Sequence, residues 1–115
     1  MRRTDSRRAM RMGDAIMREL ADVLATQAQD PSLSLVTISG VRVNADLRVA
    51  EVLYTGGDDE CMAEAAKGLE RALPLFRREL AARLDTKHVP ELRFLRDTFL
   101  EEQVYVGQRQ SPTDS

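Results

Sequence analysis

The sequence predicts an α+β domain: three strands in one sheet, helices on one face, in the order α-β-β-α-kink-α-β. Three observations carry that prediction. Apolar residues recur at three- to four-residue spacing within residues 6–29 and 58–84. Segments rich in β-branched residues stand between and after those runs. The chain has 115 residues, 43% of them hydrophobic, which is enough for one core and too apolar for a disordered chain. With three Phe, two Tyr and no Trp, that core is aliphatic.

Residues 1–5 read as a basic N-terminal tail, 6–100 as the folded domain and 101–115, poor in apolar groups, as a mobile C-terminal tail. The first helix starts at Ser6, a plausible cap, and carries Met12, Ile16, Leu20, Val23 and Leu24 on its apolar face. It ends near Gln29, because Asp30-Pro31 disfavours continuation. Residues 35–44 form a strand in which Gly40 marks a bulge or a close backbone approach. Asn44-Ala45-Asp46 is turn chemistry, and Arg48 to Tyr54 returns as the second strand of a hairpin. Gly56 to Glu60 makes a turn and a helix start, with acids at the positive end of the helix dipole. Met62, Ala65, Ala66 and Leu69 form the next apolar stripe. Pro74 has no N–H and crowds the Glu70 carbonyl, so the helix kinks or stops there. Phe76, Leu80 and Leu84 then define a new helix. Val89-Pro90 closes it, and Leu92 and Phe94, two apart, start a third strand that runs to about Arg96.

Catalytic and metal chemistry is not legible. There is one His, His88, and one Cys, Cys61, with no metal-ligand spacing and no glycine-rich phosphate loop. Asp58, Asp59 and Glu60 are better explained by the helix start than by a cation. Cys61 reads as structural, and His88 beside Lys87 as solvated. No enzyme activity, metal or cofactor is therefore expected. A single cysteine excludes an internal disulfide framework and fits a reducing compartment. No apolar run reaches the roughly 18–20 residues of a membrane span, and no signal-peptide pattern is present. The expectation is a cytoplasmic monomer with no membrane and no small-molecule substrate.

The net charge of −2 hides a strong asymmetry. Residues 1–18 carry six Arg against Asp5 and Asp14, and residues 71–96 carry seven basic groups against three acids. Each segment is locally +4, and the rest of the chain is −10. Fifteen of the seventeen basic residues are Arg, which suits bidentate phosphate contact. The candidate nucleic-acid contacts are Arg3 in the tail with Arg2 beside it, Arg7, Arg8, Arg11 and Arg18 on the first helix, and Arg77, Arg78, Arg83 and Lys87 after the kink. Arg7, Arg11 and Arg18 lie four and seven apart and share a stripe away from the apolar face. Stacking aromatics are lacking nearby, so backbone and shape recognition of folded RNA is expected rather than base readout. Ordinary solvated helix faces are the plainer reading of the same charges.

Three segments, in this order and spacing, resemble the ribosome-binding factor A family over roughly residues 7–97. The first is Asp30-Pro31 with Val36-Thr37-Ile38, Val41-Arg42-Val43-Asn44-Ala45-Asp46-Leu47 and Ala50-Glu51-Val52. The second is Ala72-Leu73-Pro74-Leu75-Phe76-Arg77, and the third Val89-Pro90-Glu91-Leu92-Arg93-Phe94 with Asp97. The resemblance implies a KH-like fold and binding to the free small (30S) ribosomal subunit. It further implies a role in late assembly and processing of 16S rRNA, its 5′ end region included, and in growth in the cold. It implies an assembly factor, not an enzyme. The family's interhelical kink has the pattern Ala-x-Gly; here Ala72-Leu73-Pro74 puts Pro in the Gly position. A second reading of the residues is a protein–protein adaptor that uses its sheet or acidic segment, with incidental RNA binding. Strongly salt-dependent RNA affinity separates the two.

Overall fold

α1 (Arg3–Thr26) lays a narrow stripe of Ala9, Gly13, Ile16, Leu20 and Val23 on the sheet, with Met12 and Leu24 at its margins. The structure, a computed structural model, describes residues 3–98, with side chains from residue 7 onward. Arg2, the side chain of Arg3 and the tail 101–115 lie outside the described residues. After α1 come a 3₁₀ turn (Pro31–Leu33), β1 (Thr37–Val43), β2 (Val49–Thr55), α2 (Asp59–Arg83) and β3 (Glu91–Arg96).

β2 is the central strand. It pairs antiparallel with β1 and parallel with β3. A parallel pair needs a long crossover, and α2 is that crossover. Alternate residues of β2, Ala50, Val52 and Tyr54, are buried with Ile38 of β1 and Leu92 of β3. Ile16, Leu20 and Val23 of α1 and Met62, Ala65, Leu69, Phe76 and Leu80 of α2 complete one aliphatic core around Phe76. Gly13 lets α1 lie on the backbone of β1, since a Cβ there would come 2.9 Å from the Val41 carbonyl oxygen. Between Ile38 and Gly40 the β1–β2 register shifts, so the predicted bulge is real and Ser39 is its extra residue.

Four details differ from the sequence reading. α1 already includes Ser6, which is therefore inside the helix and not its cap. α1 stops at Thr26, three residues short of Gln29, where the amides of Gln27 and Ala28 both donate to the Val23 carbonyl. Asp30 instead caps the 3₁₀ turn, its Oδ1 accepting from Ser32 N at 3.0 Å. Ala66 is exposed, because the buried face of α2 passes through Gly68 and Leu69. The largest change concerns Pro74. The two helices read on either side of it are one helix, α2, with Pro74 inside. Pro74 withholds one hydrogen bond from the Glu70 carbonyl, but the core holds both flanks, with Leu69 and Phe76 each 1% exposed.

The helix starts follow local chemistry. Asp58 caps α2, its carboxylate accepting from Cys61 N at 2.9 Å, and Asp59 and Glu60 occupy the first turn as expected. That hydrogen bond holds the Asp58 carboxyl below the usual range, and the same carboxylate pushes the Cys61 thiol up. Asp30 is held low by its hydrogen bonds from Ser32 and then from Arg71.

Two outcomes follow from this architecture. Pro74 is exposed, so Pro74→Ala restores a helix hydrogen bond without opening the core. Stability should rise by about 1–3 kcal/mol in urea denaturation, with little change in helical ellipticity. A loss of stability would mean that core packing depends on the backbone direction Pro imposes. The second outcome concerns acid. Carboxyls depressed in the folded state stabilise it above their unfolded pKa, about 4, and that contribution fades as pH falls through the folded value. The double variant Asp30→Asn/Asp58→Asn keeps side-chain oxygens for both caps. Its stability should fall less than wild type when denaturation is followed from pH 5 to pH 2.

Candidate nucleic-acid interface

Ion pairing sorts the predicted basic residues into two groups. Of the seven cations in residues 71–96, four are engaged with acids. Arg71 Nη2 lies 2.8 Å from Asp30, Arg93 Nε 2.9 Å from Glu91 and Arg96 Nη2 2.7 Å from Asp59. Arg83 is the fourth, and it does not join the exposed basic set. Its Nη1 reaches Asp22 at 2.7 Å and Glu19 at 3.1 Å, and its Nε reaches Glu79 at 3.3 Å. Asp22, then Glu19, hold its positive charge more firmly than usual. With its side chain only 24% exposed, Arg83 ties the end of α2 to the last turns of α1.

Arg77, Arg78 and Lys87 remain. They are exposed and have no ion pair among the described residues, and the same holds for Arg7, Arg8 and Arg11 of α1. Arg18 is exposed as well, with Glu19 3.9 Å away. Arg7, Arg11 and Arg18 thus occupy an outward stripe, as their spacing predicts. Met10, 67% exposed, adds an apolar group beside these arginines that the sequence reading passed over.

The fold brings several of these groups to one place. A cleft of about 560 Å³ lies at the hairpin-turn end of the sheet. Arg8 and Met12 line it from α1, Asp46, Leu47 and Arg48 from the hairpin turn, and residues 86–90 from the approach to β3. The turn is built by Asn44, whose Oδ1 accepts from the amides of Arg48 and Val49, each at 3.0 Å, while Leu47 takes a φ of +64°. The Glu91 amide donates to the Arg48 carbonyl at 2.8 Å, which fixes the start of β3 to that turn. Thr86 donates its hydroxyl to the His88 carbonyl at 3.3 Å. Arg8, Arg48, Lys87 and His88 therefore share one cleft although they come from three separate parts of the chain.

Arg77 does not line this cleft, but its charge reaches the start of β3. Glu91 next to Pro90 is held below the usual carboxyl range by the Arg93 hydrogen bond, then by the Arg93 charge, with Arg77 a further contributor. Ala72 and Leu73 are half-buried against the core and Pro74 is exposed; none of the three lines the cleft. No Phe, Tyr or Trp lines it either. The site can hold anions by charge and by N–H donors, without a stacking platform for bases. Arg48 is the basic cleft residue that sequence reasoning missed. Its signal is the hairpin turn, but only the parallel placement of β3 reveals that the turn faces Lys87 and His88.

Comparison with known proteins agrees with this architecture. A family model described as ribosome-binding factor A matches residues 8–109. The ribosome-binding factor A of Syntrophus aciditrophicus is 38% identical over 96 residues, covering 83% of this chain and 78% of its own length. That of Alkalilimnicola ehrlichii is 42% identical over 96 residues, covering 82% and 74%. The crystal structure of ribosome-binding factor A from Thermus thermophilus superposes with a TM-score of 0.69 at 28% identity, covering 76% of this chain and 93% of the other. A homology model of the Thermus thermophilus protein, fitted into a cryo-EM map of its complex with 30S, superposes at 0.62 with 26% identity, covering 77% and 94%. The α+β, KH-like fold expected from sequence is the fold these structures share.

The division between paired and unpaired arginines is testable by thermal melting. Arg83→Ala leaves Glu19, Asp22 and Glu79 facing one another with only the exposed Arg18 nearby, so Tm should drop by several degrees. Arg77→Ala and Arg78→Ala should melt with wild type. Equal melting of all three variants would remove the structural role of Arg83.

Proposed function

We propose that this chain, which belongs to the ribosome-binding factor A family, binds the free small (30S) ribosomal subunit and assists late assembly and processing of 16S rRNA, its 5′ end region included. The observation that carries this reading is the convergence of Arg8, Arg48, Lys87 and His88 on one cleft. Arg8 and Lys87 have no ion pair among the described residues, and Arg48, with Asp46 3.9 Å away, stays exposed. Such cations on a rigid sheet-and-helix frame suit the phosphates of a folded RNA, and each contact releases counterions. Absence of an aromatic platform favours shape and backbone recognition. The protein acts by binding, not by catalysis, as a cytoplasmic monomer without cofactor or small-molecule substrate, and it supports growth in the cold.

The exposed stripe of Arg7, Arg11 and Arg18, with Arg78, extends the charged surface, and Arg3 adds to it through the sequence alone. Arg83 is left out of the contact set because three carboxylates already surround it.

Sucrose-gradient fractionation of lysate should place the protein with free small subunits and leave little on translating ribosomes. Arg8→Glu/Lys87→Glu removes two unpaired cations and should weaken subunit binding by about tenfold or more while the fold is kept. The slope of log affinity against log salt should flatten by about 0.7–0.9 per lost phosphate contact. A protein found only in the soluble top fractions at low salt, or a double variant with wild-type affinity and slope, overturns the assignment.

A further inference from the structure

At the end of the sheet opposite the cleft, residues 31–36 stand between two hollows. One, about 260 Å³, opens toward the start of α2 and is lined by Leu35, Cys61, Asp58, Glu60 and Glu64. The other, about 580 Å³, opens toward the last turns of α1 and is lined by Ala21, Leu24, Ala25 and Ala28. Pro31, Ser34 and Val36 line both, so the two hollows adjoin across this segment and make one grooved surface. Leu35 lies in the segment between them with 58% of its surface exposed. An exposed leucine bordered by apolar hollows is an anchoring surface.

The rim decides what kind of partner fits. No Lys or Arg lines either hollow. Glu60 has no ion pair among the described residues, and Glu64 meets Lys67 at 3.6 Å, a pair that is exposed on both sides. Phosphate is repelled here, so RNA is the wrong occupant. The chain's own residues 99–115 carry Glu101, Glu102 and Asp114 against Arg109, so they too bring the wrong sign. We propose that this groove docks a cationic peptide segment of a protein partner, with an apolar side chain seated beside Leu35. β1 runs from the groove to the hairpin turn, about 20 Å at the usual strand rise. The groove and the basic cleft can therefore be occupied together, and the proposal stands apart from the reading of the cleft.

The full chain titrated with a short synthetic peptide of Lys, Arg and Leu, read by amide NMR and fluorescence anisotropy, tests this. Saturable binding should shift the resonances of Leu35, Val36, Gly56 and Cys61 and weaken with added salt. Leu35→Ser and Glu60→Lys/Glu64→Lys should each lower affinity about tenfold. Leu35 is exposed, so its variant keeps the wild-type circular dichroism and the test holds even if the double variant misfolds. A peptide with Glu replacing Lys and Arg should not bind. Equal affinity in wild type and Leu35→Ser, or shifts confined to other surfaces, overturns the proposal. So does self-association that Leu35→Ser abolishes, which assigns the groove to a second copy. Shifts of residues 99–115 on Leu35→Ser without peptide would assign it to the chain's own end, and would equally overturn it.

Discussion

The parallel pairing of β3 with β2 constrains everything else in this molecule. Because β3 runs the same way as β2, the chain must travel the length of the sheet before it can pair again, and α2 covers that distance. The return point is fixed by one backbone hydrogen bond, from the Glu91 amide to the Arg48 carbonyl. That bond sets Lys87 and His88 against the hairpin turn, and α1 brings Arg8 to the same place. Had β3 paired antiparallel, α2 would have no crossover to make and the three basic contributions would not meet.

The same constraint separates what was legible in the sequence from what was not. Local patterns were readable. Ile16, Leu20 and Val23 announced the buried face of α1 by spacing alone, Asp58 announced a helix start, and Gly40 flagged the irregularity beside Ser39. Interactions between distant segments were not readable. Glu79 lies one turn before Arg83 and could be paired with it by inspection, but Glu19 and Asp22 arrive from a helix some sixty residues earlier. Pro74 misled for a related reason. A local rule ends a helix at an interior proline, and the rule gives way here because buried residues on both sides hold the helix to a common core.

Charge counting shows a parallel lesson. The segment 71–96 is basic as a sum, yet Arg71, Arg83, Arg93 and Arg96 each have an acid from this chain beside them. Arg71, Arg83 and Arg96 hold separate elements together, whereas Arg93 pairs within β3. The ions left for an external ligand are few, and two of them, Arg8 and Lys87, meet at the cleft from opposite ends of the chain. A basic patch is thus defined by which cations remain unmatched after folding, a property of the tertiary arrangement and not of the segment.

The shift at Ser39 acts as a change of phase along β1. Up to Ile38 the inward positions fall on one parity of the numbering; beyond the shift they fall on the other, so Val41 and Val43 face inward and Arg42 faces out beside Glu51. A strand of unbroken alternation through these residues would bury Arg42 and expose both valines. The strand's length between Ile38 and the turn is therefore an odd-and-even code, and loss of one residue there would invert it. Changes of length in this part of the chain are tolerable only in pairs, which makes β1 far less permissive of insertion or deletion than of substitution.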